Sequence, residues 1–65
     1  MKITVNGEAR EVAAATLRGA LEELGYGEMR VATAVNESFV PSAARDGCAL
    51  SEGDRVEVLS ARQGG

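Results

Sequence analysis

The pair Asn6-Gly7 constrains this chain more tightly than any other two residues. Before it, Met1, Ile3 and Val5 alternate with Lys2, Thr4 and Asn6, the period of a strand with one buried face. Asn and Gly both tolerate the positive φ that a type I′ turn demands at its two central positions, so the dipeptide predicts a two-residue hairpin loop. That loop sets the register, with Val5 opposite Glu8, Ile3 opposite Arg10 and Met1 opposite Val12. Val12 then shares a face with Met1, Ile3 and Val5, so turn chemistry and apolar pattern agree. The first strand starts at residue 1 and the second covers about residues 8 to 13.

A change of period follows. Leu17, Ala20, Leu21 and Leu24 are spaced i, i+3, i+4, i+7, which places them on one side of a helix. Thr16 is the natural N-cap, its hydroxyl accepting from a free amide of the first turn, and Gly25 suits the left-handed residue that ends such a helix. Arg18, Glu22 and Glu23 face solvent. The two glutamates stand at the unfavourable end of the helix dipole, so packing rather than propensity must hold this helix. Residues 26 to 30 read as a connection, with Tyr26 and Met29 at the edge of the core.

Val31-Ala32-Thr33-Ala34-Val35 is rich in β-branched residues and predicts a third strand, and Phe39-Val40 a short fourth one after a turn at Asn36-Glu37-Ser38. Pro41 has no amide to give to a ladder and confines that short strand to an edge or marks its end. Residues 42 to 49 show no period and form a loop with room for one helical turn. Residues 50 to 54 supply a turn into a last strand, in which Val56 and Val58 point inward and Arg55, Glu57 and Leu59 outward. One helix laid on four or five short strands is a two-layer α+β domain. Residues 1 to 60 make the domain, and residues 61 to 65, with no apolar anchor beyond Ala61, are expected to leave it as a flexible tail.

Composition then narrows what such a body can do. At 65 residues, a fold buries only about 60% of the surface its unfolded chain exposes, which leaves no room for a deep catalytic cleft. There is no histidine, a single cysteine (Cys48) and no glycine-rich phosphate loop, so the usual equipment of nucleophilic, metal and nucleotide chemistry is missing. Cys48 reads as an incidental small residue, with no histidine to activate it. A lone cysteine gives no reason for an oxidising compartment, and the cytoplasm is the expected location. A net charge of −3 offers no footprint for nucleic acid, and no apolar run is long enough for a bilayer. The chain reads as a protein acted upon, not as an enzyme.

What remains is Arg62-Gln63-Gly64-Gly65. Two successive terminal glycines arise by chance in roughly 1 to 2% of chains this rich in glycine. A carboxylate carried on them has no Cβ beside it, so it can thread a narrow channel. Five extended residues reach about 17 Å, far enough to enter a partner's active site. Gln63 brings amide hydrogen bonds, and Arg62 either a charge contact or a solvated side chain. Leu59, outward beside the tail, is either part of an apolar docking patch or one ordinary exposed leucine.

Taken in order, Lys2-Ile3-Thr4-Val5-Asn6-Gly7, Thr16-Leu17 with Leu21 and Leu24, residues 31 to 36 leading to Val40-Pro41, Gly53-Asp54-Arg55-Val56-Glu57 and Gly64-Gly65 resemble the ThiS family of ubiquitin-like sulfur carriers over essentially the whole chain. Ser42, Ala43 and Ala44 depart from that family, which often has a basic and then an aromatic residue there; Arg45 is the nearest substitute. The resemblance implies a β-grasp fold: a mixed four- to five-stranded sheet packed against one main helix, with the first and last strands parallel at its centre. It also implies that Gly65 is adenylated by an E1-like, ThiF-like adenylyltransferase using ATP and magnesium, the carrier itself binding no cofactor. Sulfur from a cysteine desulfurase or another donor would then give a thiocarboxylate, and a ThiG-like thiazole synthase would receive the sulfur for thiamine. The alternatives are a molybdopterin carrier of the MoaD type, a protein modifier and a ubiquitin-like binding module.

Overall fold

The structure is a computed structural model and describes residues 1–60. β1 (Lys2–Val5) and β2 (Glu8–Glu11) form the hairpin that Asn6-Gly7 predicts, with φ of 51° and 87° at the two turn residues. Val5 faces Glu8 and Ile3 faces Arg10, and the Val12 amide donates to the Met1 carbonyl at 2.9 Å. β2 ends two residues before the sequence suggests. The amides of Ala13 and Ala14 donate to the Glu23 carboxylate, at 2.9 and 2.7 Å, instead of continuing a ladder.

α1 (Leu17–Glu23) follows, with Thr16 as its N-cap accepting from the Gly19 amide at 3.2 Å. Its end is a Schellman motif: Gly25 has φ of 94°, its amide donates to the Glu22 carbonyl, and the Tyr26 amide donates to the Leu21 carbonyl at 2.8 Å. β3 (Val31–Val35) and β4 (Ser38–Val40) form a second hairpin, a 3₁₀ turn spans Ser42–Gly47, and β5 (Arg55–Ser60) closes the described chain. The 3₁₀ turn occupies most of the stretch expected to be a loop.

The sheet order is β2-β1-β5-β3-β4. β1 and β5 pair in parallel, and the other neighbours are antiparallel. This is the β-grasp arrangement, an α+β fold with a mixed five-stranded sheet and one main helix. Ile3 and Val5 of β1, Val56 and Val58 of β5 and Val40 of β4 bury against Leu17, Ala20 and Leu21 of α1. Each buried Val, Leu or Ile side chain contributes about 1.5–3 kcal/mol of burial.

Leu50 belongs to that core although its sequence context reads as a turn. It is buried, and its amide donates to the Ala15 carbonyl at 2.9 Å, tying the segment before β5 to the one before α1. Met29 is half exposed, whereas Tyr26 packs partly against the core. Thr33 is the buried polar residue among those described. Its hydroxyl donates to the Val40 carbonyl at 2.8 Å and accepts from Arg45 Nε at 3.1 Å, so both of its hydrogen-bonding functions are met.

Candidate functional site

β5 is the last described element and precedes residues 61 to 65, on which the sequence places the expected chemistry, so its surroundings are the candidate site. Its alternation sends Val56 and Val58 into the core and leaves Arg55, Glu57 and Leu59 on the face away from α1. β3 lies antiparallel to it with Ala32 opposite Leu59 and Ala34 opposite Glu57, and β4 places Phe39 opposite Ala34. Phe39 is 70% exposed and Leu59 62%, with the small Ala32 and Ala34 between them. Small residues flanked by two large ones make a depression of about 360 Å³, lined also by Asn6 and Glu57.

A second depression, of about 390 Å³, lies on the other side of Leu59 and is lined by Met29, Arg30, Val31, Ser42 and Arg45. Leu59 thus forms a wall of both hollows at the point where β5 ends. The outward leucine is therefore part of an apolar patch rather than an isolated one. Phe39, its larger companion, was not singled out by sequence reasoning. The signal for it lies in the register, because β4 pairs with β3 in the phase that turns Phe39 and Val40 to opposite faces.

Arg45, the nearest substitute for the basic residue common in carriers, has its guanidinium turned to the body. Nη2 donates to the Val31 carbonyl at 2.6 Å and Nε to the Thr33 hydroxyl. It pins the 3₁₀ turn to β3. Cys48 is partly buried, and its carbonyl accepts from the Leu17 amide at 2.8 Å. Among the described residues no group of three His, Cys, Asp or Glu side chains is assembled as a metal site, and no helix is long and apolar enough to cross a membrane. Gly65, Gly64, Gln63 and Arg62 lie outside the described residues, as does the rest of the expected tail.

Two carboxylates near the ends of the core elements have pKa values below the ordinary range. Glu23 is lowered by the Ala13 amide and then by that of Ala14. Asp54, in the turn before β5, is lowered by the Asn36 side chain and then by the Ser51 amide. Both stabilise the body that presents the patch, and neither faces it.

Against known proteins, the model of the ThiS family matches residues 3–65. A thiazole synthase of Paramagnetospirillum magneticum (strain ATCC 700264 / AMB-1) is 35% identical over 66 residues, which cover 100% of this chain and 20% of that protein. The chain therefore spans about a fifth of the length of this relative. Among solved structures, the thiamine biosynthesis protein (ThiS) from Geobacter metallireducens superposes with a TM-score of 0.79 at 30% identity, covering 100% of both chains.

Proposed function

The chain belongs to the ThiS family, and on that premise we propose that it is the sulfur carrier of thiazole formation in thiamine biosynthesis, with Gly65 as the residue that carries the sulfur. The observation that carries this reading is the extent of the family match, which runs through Gly64 to Gly65 itself. A carboxylate is ionised at neutral pH and a poor electrophile, so it needs a leaving group before sulfur can be attached. An E1-like adenylyltransferase supplies one: a Gly65 carboxylate oxygen attacks the α-phosphorus of magnesium-bound ATP, and pyrophosphate departs. A persulfide from a cysteine desulfurase then displaces AMP to form an acyl disulfide, and a thiol attacks its outer sulfur, leaving the thiocarboxylate and a new disulfide; a donor of hydrosulfide would displace AMP and give the thiocarboxylate directly.

The body has no part in the bond-making steps and acts as the handle. The patch of Phe39, Ala32, Ala34 and Leu59 gives the activating enzyme an apolar surface beside the end of β5, while Gln63 offers it amide hydrogen bonds and Arg62 either a charge contact or a solvated side chain. A thiazole synthase is the receiving partner; the relative of that name, in which a segment similar to this chain makes up a fifth of the protein, supports the pairing. ATP-dependent activation suits the cytoplasm.

The test is ATP–pyrophosphate exchange with the E1-like enzyme of the same organism. Deleting Gly65 should abolish exchange and leave the circular dichroism spectrum and melting temperature unchanged; undiminished exchange sinks the reading. The proposal also requires a free carboxyl on Gly65. Intact mass of the protein from its own cells reports this together with a gain of about 16 Da, the replacement of one oxygen by sulfur in a thiocarboxylate formed by this acyl chemistry.

A further inference from the structure

We propose that Asn6 is a positioning residue for the sulfur-carrying terminus, acting through β5. The proposal rests on the carrier reading and adds a device to it. β1 turns away at Asn6, where φ is 51°, and its last backbone contact with β5 is the Asn6 amide donating to the Val56 carbonyl at 2.9 Å. Val58 lies two residues further along the same edge and has no β1 backbone opposite it. The Asn6 side chain takes that place. Oδ1 accepts from the Val58 amide at 2.8 Å and Nδ2 donates to the Val58 carbonyl at 3.0 Å.

A side-chain primary amide offers a donor and an acceptor in one plane, as a peptide unit does, so Asn6 adds a rung to the parallel ladder after the strand itself has gone. Aspartate would keep the acceptor and lose the donor. The turn needs a residue that accepts positive φ, and the rung needs a short amide; asparagine satisfies both. On the opposite edge β3 pairs with β5 as far as Ser60. β5 is therefore gripped from both sides within two residues of Ser60, the last described position.

That grip matters because a carboxylate attacking phosphorus must come within about 3–3.5 Å of it, and a misplacement of roughly 1 Å can cost on the order of 100-fold in rate. Asn36 provides the matched comparison at the far end of the strand. Its φ is 50°, its Oδ1 accepts from the Arg55 amide at 3.0 Å and its Nδ2 donates to Asp54 Oδ1 at 3.0 Å. The same residue type in the same conformation thus grips the start of β5, remote from the terminus.

The experiment compares wild type, Asn6→Gly, Asn6→Asp and Asn36→Gly in ATP–pyrophosphate exchange with the E1-like enzyme, at a temperature where circular dichroism shows all four folded. Glycine keeps the positive φ at both sites, so the turns survive and only the amides are lost. Asn6→Gly should lower kcat about tenfold with KM within about twofold of wild type, because docking is intact and placement of the carboxylate is not. Hydrogen exchange at the Val58 amide should accelerate in the same variant, and Asn6→Asp should fall between it and wild type. Asn36→Gly should melt at a lower temperature than wild type and keep both constants. An Asn6→Gly kcat equal to that of Asn36→Gly overturns the inference, and so does a raised KM with unchanged kcat, which would make Asn6 a docking contact. Absence of exchange by wild type fails the carrier reading itself, and the inference falls with it.

Discussion

The two faces of the sheet differ in almost every respect although the same strands build both. On the face under α1, Val56 and Val58 are 2% and 7% exposed and pack among Ile3, Val5, Leu17 and Leu21. On the other face, one residue further along the same strand, Leu59 is 62% exposed, and among the described residues no element covers it. The inner face joins β1, β3, β4 and β5 with α1 into one core. The outer face joins β5, β3 and β4 into a surface with two large apolar residues on a floor of alanines. Exposed Phe39 and Leu59 are what the docking role proposed for this face requires.

Substitutions in the two faces should separate stability from function. Ile3→Ala removes a side chain that is 1% exposed and should cost about 2–5 kcal/mol. A domain of this length has only about 3–10 kcal/mol in total, so urea unfolding should show the variant partly or fully unfolded at 25 °C. Next in size is Gly19→Ala in α1. Alanine is normally the better helix former, but a Cβ here would lie 2.8 Å from the Ala14 Cβ. The clash should outweigh propensity and destabilise by roughly 1–3 kcal/mol, read as a lower urea midpoint. A stabilised Gly19→Ala would mean that the segment before α1 yields easily and that the inner layer is less tightly packed than it looks.

The sequence announces the inner face far more clearly than the outer one, for a physical reason. Ile3, Val5, Val56 and Val58 show period two, Leu17, Ala20 and Leu21 show the helical period, and Asn6-Gly7 fixes a register; each follows from local geometry. Leu50 escapes that logic because it is brought into the core by the pairing of residues 48–50 with residues 15–17, which are distant in sequence. Arg45 escapes it because a guanidinium satisfied by Thr33 and Val31 looks, in one dimension, like any surface charge. The strand order is legible through resemblance alone, since periodicity marks strands without saying which are neighbours. Leu59 was visible as an outward residue, but its membership of a patch depends on Phe39, brought alongside by β3.

For the outer face, Phe39→Ser and Leu59→Ser should each change unfolding free energy by no more than about 0.5 kcal/mol, as exposed positions do. Each should weaken the complex with the E1-like enzyme by about tenfold or more, equivalent to about 1.4 kcal/mol, measured by titration calorimetry. The pair of results sharpens the contrast between faces. A variant that binds as wild type would show the apolar patch to be unused by that enzyme.

The smallest effect concerns the acid limb of stability, and it lies wholly with the inner layer. Glu23 has its pKa lowered by the amides of Ala13 and Ala14, and Asp54 by the Asn36 side chain and the Ser51 amide. A carboxyl whose folded pKa is depressed binds protons more readily when unfolded, so its contribution is fully present above the unfolded value, near 4 for such groups, and is lost as pH falls through the lower folded value. Between pH 6 and 3 the urea midpoint of wild type should therefore fall. Glu23→Gln should start lower at pH 6 and fall less, so that the two curves converge in acid; parallel curves would remove Glu23 from the account. Binding of the outer patch to its partner should show no matching convergence between wild type and Glu23→Gln, because the Glu23 carboxylate holds the segment between β2 and α1 and does not face Phe39 or Leu59.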